Sequence, residues 1–159
     1  MAILISMPII GPDLNCIDLT KRDSGVPIPL LIVVAVALVD IDGRVLLQQR
    51  PYGKSMAGLW ELPGGKLVEG ESPEVALIRE LKEELGIDIT GSCLAPLTFA
   101  SHHYVDFQLL MPVYACRIWG GTPMGKEGQA LKWVRPVNMN ELPMPPADLP
   151  LVPLLRDFL

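Results

Sequence analysis

Three glutamates, Glu80, Glu83 and Glu84, fall within the stretch RELKEELG, directly ahead of a glycine that reads as a helix stop. Like charges three and four apart on a helix repel, and acids in the last turn oppose the macrodipole, at a cost of about 0.3 to 1 kcal/mol each. A local rule broken this way calls for a compensating partner. Clustered carboxylate oxygens beside a loop suit a hard divalent cation such as Mg²⁺, which keeps several waters and bridges carboxylates to phosphates. Such an ion polarises a phosphoryl group and makes a bound water a better nucleophile. The competing explanation is a solvated acidic face, the commoner origin of a charge run.

The elements that must carry these acids can be read from the pattern around them. Ser72 suits an N-cap and Pro73 a first helical position, so a helix is predicted over 73–85 with Gly86 ending it. Leu77, Ile78, Leu81 and Leu85 form its core-facing stripe, and the three acids converge beside it within an arc of roughly 100°. Upstream, the apolar run 28–39 reads as a buried strand, DIDG as a turn and RVLLQQR, 44–50, as a returning hairpin partner. PYGKSMAG is a loop, and LWELPGG, 59–65, is a short strand running into a glycine pair. Strand-like runs follow at 93–100, 104–118 and 130–135, with Pro112 predicting an edge or a bulge. The Pro-rich ELPMPPADLP leads to a short helix at about 150–158. Residues 1–27 show no clear period and are expected to be an extension without an assigned role, leaving 28–159 as one domain.

The chain has 159 residues, half of them hydrophobic, which is enough for one substantial core. A net charge of −5 argues against a surface for a nucleic acid polymer, which needs basic residues to release counterions from phosphate. An anionic small ligand would need a metal ion or local cations. The three cysteines, Cys16, Cys93 and Cys116, form no CxxC pair, so a reducing cytoplasm fits best. The N-terminus lacks the basic region and cleavage site of a secretory signal, and the twelve-residue run 28–39 cannot span a bilayer as a helix, so no membrane partner is expected. Composition gives no oligomeric state.

From Gly65 to Ile87 the chain reads GKLVEGESPEVALIRELKEELGI. This resembles the Nudix box at every position, a coincidence of about one in a million for seven fixed residues in a chain this long. The resemblance implies a Nudix fold, an α+β, α/β/α sandwich with a mixed β-sheet. It implies Glu80 and Glu84 as main metal-ligating carboxylates with the Gly65 carbonyl, Glu83 as a ligand or the base that activates water, and Arg79 with Glu71 as an ion pair fixing loop to helix. The cation implied is Mg²⁺, with Mn²⁺ as a substitute.

Beyond the box, LLQQR, GLWELPGGK, GKEGQ followed by KWV, and PPAD are similar to MutT-type nucleoside triphosphate diphosphatases. That similarity implies Mg²⁺-dependent hydrolysis of (deoxy)nucleoside triphosphates to monophosphate and pyrophosphate, with 8-oxo-dGTP pool sanitation, a form of DNA repair, as the physiological task. It makes Arg50 and Lys66 phosphate contacts, Glu127 an extra metal ligand from a loop, and Asp106 and Phe107 pocket residues. Asp148 stands where the MutT pattern has asparagine. An ionised aspartate only accepts hydrogen bonds, and PADxPL resembles the CTP pyrophosphohydrolases of the family, so a pyrimidine triphosphate is the alternative substrate. The other reading of Asp148 is a cap on the final helix. Trp60, Trp133 and Tyr104 are candidate base-stacking residues, though aromatics in strands are more often core. His102 and His103 are adjacent in a predicted strand, so they face opposite sides and cannot share a metal. A rival of another class is a Nudix domain that binds nucleotide without turnover.

Overall fold

The computed structural model describes residues 28–159; the expected extension 1–27 lies outside the described residues. The apolar run becomes strand β1, Leu30–Leu38, and its alternation explains the architecture. Val34, Val36 and Leu38 point into one hydrophobic core, while Ala35 and Ala37 point into another. A strand buried on both faces reads as a continuous apolar stretch, which is why no polar alternation appears in the sequence.

Helix α1, Pro73–Leu85, covers the first face with Ala76, Leu77, Leu81 and Leu85 buried. Its ends follow the expected signals: the Ser72 hydroxyl accepts from the Val75 amide, and Gly86 takes the left-handed conformation at φ 72° that ends the helix without a Cβ penalty. The second face is covered by Met139, Met144 and Ala147 together with Leu151 and Leu155 of helix α2, Leu151–Phe158.

The strands form two sheets. The larger has β4 (Gly64–Lys66), β1, β6 (Gln108–Cys116) and β5 (Ala95–His103) in that order, mixed because β1 and β6 run parallel. The smaller is antiparallel, with β3 (Trp60–Glu61), β2 (Val45–Gln49) and β7 (Leu131–Val134). Helices on both sides of strands complete the expected α/β/α arrangement. Among the described residues no helix is long and apolar enough to cross a membrane.

Three expectations need correction. β1 and β2 do not make a hairpin ladder: they share the single bridge Val39↔Val45 and then diverge into different sheets. The stretch 59–65 is likewise not one strand, since β3 and β4 belong to opposite sheets and Pro63 separates them. Pro112 lies on an inner strand, facing Phe99 of β5. On its other side the β1–β6 pairing breaks between Ile32↔Leu110 and Ala35↔Val113, so the missing amide hydrogen falls at a gap in the ladder. The bulge is on β5, between Pro96 and Thr98.

Candidate active site

The place where the chain crosses from β3 to β4 sets Glu61 and Gly65 on either side of one cleft. α1 approaches from below, and the loops after β2 and β6 close the sides. The result is a cavity of about 520 Å³ lined at one end by Gly65, Glu80, Glu84 and Glu127, and at the other by Tyr104, Phe107 and Asp148. Its size falls within the usual range for a small-molecule site.

At the acidic end Gly65 has a steric task. A Cβ at this position would run into the Glu80 carboxyl group, so glycine is what lets the carboxylate reach the loop backbone. Glu80 also accepts from Arg79 Nη1 at 2.7 Å, and Arg79 holds Glu71 through Nε and Nη2, both at 2.8 Å. The expected Arg79–Glu71 tie between loop and helix is therefore present. Two charge-assisted bonds hold the Glu71 carboxyl below its ordinary range.

Glu84 sits one turn further along. Its Oε2 accepts from Gln48 Nε2 at 3.1 Å and from the Gly64 amide at 3.4 Å. Burial nevertheless pushes its pKa up to about 7, opposed by the Gln48 and Gly64 donors and reinforced by the neighbouring charges of Glu80 and Glu127. The Gln129 amide donates to Gln48 Oε1 at 3.4 Å and to the Glu84 carbonyl at 3.0 Å, while its oxygen accepts from the Glu127 amide at 2.8 Å. Gln48 and Gln129 are both buried, so this relay fixes which end of the Gln48 amide faces the carboxylate.

Glu127 pairs with Lys54 at 2.6 Å. Glu83, in contrast, is 60% exposed, lies 3.7 Å from Arg79 Nη1 and is not among the cavity-lining residues.

At the other end Asp148 is only 5% exposed. It does not cap α2: that helix has Pro150 at the N-cap without a side-chain bond, and Asp148 Oδ1 instead accepts from the Leu62 amide at a long 3.5 Å. A proline at the cap and a cavity on the inner side turn the carboxyl away from the helix. Burial and the nearby Glu61 charge push its pKa up to about 7. Burial also raises Glu61, which is held by Arg50 Nη1 at 2.6 Å.

Arg50 thus lines the cavity, but with its guanidinium on Glu61 and on Ser55. Lys66 lines the acidic end beside Gly65. Phe107 lines the cavity with Tyr104, ring centroids 4.8 Å apart, whereas Asp106 is exposed and outside it. Trp133 stacks on Trp119 at 6.0 Å, and Trp60 packs on the α2-side core under Lys132. His102 and His103 lie on β5, with His103 bonded to Gln108.

Sequence reasoning missed Lys54, and it gave Gln48, Glu61 and Gln129 no individual role although they lie in the LLQQR, GLWELPGGK and GKEGQ stretches. The available signal was Gln48 placed directly after three apolar strand residues, since a glutamine inside a buried strand needs partners.

Among the described residues no three acid, His or Cys side chains converge into a ready-made metal cage. The donor chemistry nevertheless fits a hard cation: two carboxylates one turn apart, a third from a loop, and a glycine leaving room for the first. Gly65→Ala tests this cradle. The expected result is Mn²⁺ affinity lowered by roughly tenfold or more, read by calorimetry, because the methyl group displaces Glu80.

The chain is similar to known proteins in sequence and in fold. The model of the NUDIX domain matches residues 34–153. The CTP pyrophosphohydrolase of Escherichia coli is 40% identical over 125 residues, covering 77% of this chain and 89% of that protein. The 8-oxo-dGTP diphosphatase of the same organism is 32% identical over 124 residues, covering 77% and 95%. Among solved structures, the E. coli ORF135 protein matches with a TM-score of 0.71 at 34% identity, over 82% of this chain and 91% of that one. A MutT structure from a study of Aliivibrio salmonicida and Vibrio cholerae matches with a TM-score of 0.65 at 31% identity, over 82% and 99%.

Proposed function

The chain belongs to the Nudix family, and from that premise we propose that it is a cytoplasmic enzyme hydrolysing (deoxy)nucleoside triphosphates to monophosphate and pyrophosphate with Mg²⁺. The observation that carries this reading is the joining, in one cavity of about 520 Å³, of Gly65, Glu80, Glu84 and Glu127 with an end walled by Tyr104 and Phe107. Glu80, Glu84, Glu127 and the Gly65 carbonyl would hold the cation, with Glu83 beside them. When bound, it supplies charge neutralisation on the phosphates and a more acidic water.

The protein's own groups do the rest. Gln48 and the Gly64 amide hold one oxygen of Glu84 and leave the other for the cleft. Arg79 fixes Glu80 against the loop. Glu83, exposed beside Arg79 and outside the cavity lining, is our choice for the group that takes the proton from the attacking water, which requires its side chain to turn into the cleft. Tyr104 and Phe107 would face the base and Lys66 would stand along the phosphates, which Arg50 would reach only on leaving Glu61.

For the base, the primary proposal is 8-oxo-dGTP, which makes the enzyme a guardian of the nucleotide pool. A second reading, a CTP-like pyrimidine triphosphate, is favoured by Asp148: a carboxyl with a pKa near 7 can donate as well as accept, which suits the adjacent acceptor and amino group of cytosine. The relative named for CTP supports the same reading. A turnover panel over CTP, dCTP, 8-oxo-dGTP, dGTP and methylated triphosphates, with Mg²⁺ and coupled phosphate release, decides between them. Turnover of none of these would leave the binding-only domain.

A further inference from the structure

The acidic end of the cavity carries a cation of its own. Lys54, on the loop after β2, reaches across to Glu127, on the loop after β6, and both side chains line the cavity. The two residues are 73 positions apart, so the bond ties opposite walls together. Their carboxylate–ammonium contact is 2.6 Å, yet both side chains are about half exposed, which keeps such a pair worth no more than about 1 kcal/mol and easy to exchange.

The two partners are not equally free to move. Glu127 is anchored: its amide bonds Gln129, and the neighbouring Lys126 amide bonds the Glu84 carbonyl at 2.9 Å. The Lys54 loop is fastened at its base, where the Arg50 amide donates to the Leu59 carbonyl and the Gly58 amide donates to the Arg50 carbonyl, both at 2.9 Å. Its tip is held by the Lys54 amide, which donates to the Pro51 carbonyl at 3.4 Å, and by Arg50 Nε, which donates to the Ser55 carbonyl at 2.7 Å, so the part that can move is the flexible Lys54 side chain. Lys54 is the partner that swings.

The charge balance says where it goes. Arg50 is committed to Glu61, and Arg79 to Glu71 and Glu80, so that besides Lys54 only Lys66 lines the cavity as a cation without an acidic partner among the described residues. A triphosphate entering beside so many carboxylates needs cations that become available when it arrives. We propose that Lys54 is a triphosphate-binding residue kept on Glu127 as a place-holder, released to the phosphates when a divalent cation takes Glu127. This rests on the triphosphate reading above. Removing the ammonium then has opposite effects on the two ligands: the cation meets no competitor, and the nucleotide loses a partner.

The test uses the full chain as wild type, Lys54→Met and Lys54→Arg, with calorimetric binding of Mn²⁺ to nucleotide-free protein. The second arm measures binding of an α,β-imido triphosphate analogue in the presence of saturating Mg²⁺. For Lys54→Met we expect Mn²⁺ bound roughly fivefold tighter and the analogue about tenfold weaker. In turnover the loss should appear in KM, with kcat nearly unchanged, and Lys54→Arg should restore nucleotide affinity. Failure of either the gain in Mn²⁺ affinity or the loss of analogue affinity overturns the proposal. A wild type that binds both ligands and turns over nothing would sink the hydrolase reading while these two binding arms still decide the role of Lys54.

Discussion

Glu84→Gln should lower kcat by about a thousandfold while leaving a folded protein. The amide keeps the volume of the side chain and an oxygen for the Gln48 and Gly64 donors, so the surrounding network survives. It loses the charge that a cation needs. The same substitution has a signature in stability. In metal-free protein Glu84 and Asp148 both titrate near 7, above their unfolded values of 4.5 and 3.8. Between those limits the folded chain binds more protons than the unfolded one, so stability contributed by these groups is complete at the acid end and is lost as pH rises towards and through 7. Thermal midpoints in chelator should therefore fall between about pH 4.5 and 8. Glu84→Gln should flatten the decline and raise the midpoint by a few degrees at the upper end. A midpoint that climbs with pH, or a variant as active as wild type, would contradict this account of Glu84.

Asp148→Asn should change the ratio of 8-oxo-dGTP to CTP turnover by roughly 10- to 100-fold, the discrimination that one bidentate hydrogen-bonded edge provides. Asparagine cannot change its protonation, so it offers one fixed donor and one fixed acceptor. The wild-type carboxyl, buried beside Glu61 with a pKa near 7, switches between donor and acceptor over the working range of pH. The wild-type selectivity ratio should accordingly drift between pH 6 and 8, and that of the variant should stay level. An unchanged ratio in the variant would remove Asp148 from base recognition altogether.

The parts of this fold that were legible in the sequence were those governed by local chemistry. Ser72, Pro73 and Gly86 bounded α1 because caps and breakers act on their own neighbours. The acids of that helix could be placed on one side by counting residues. Sheet membership was not legible, because whether β1 and β2 stay paired depends on what covers them, and Val39↔Val45 alone shows where they part. The Lys54–Glu127 and Gln48–Glu84 contacts were invisible for the same reason, joining residues 73 and 36 positions apart. Asp148 was marked as unusual by type alone. That it faces inward rather than capping α2 follows from the path of the Pro-rich segment, which no local rule fixes.

The double-faced strand β1 supports the two ends of the cavity separately. Val34, Val36 and Leu38 support the helix that carries Glu80 and Glu84, whereas Ala35 and Ala37 support the segment that carries Asp148. The acids proposed for hydrolysis and the residue proposed for base preference thus stand on separate foundations that share one wall. A substitution beneath the proposed nucleobase end should therefore leave the acids in place, separating a change of base preference from a change of cleavage chemistry.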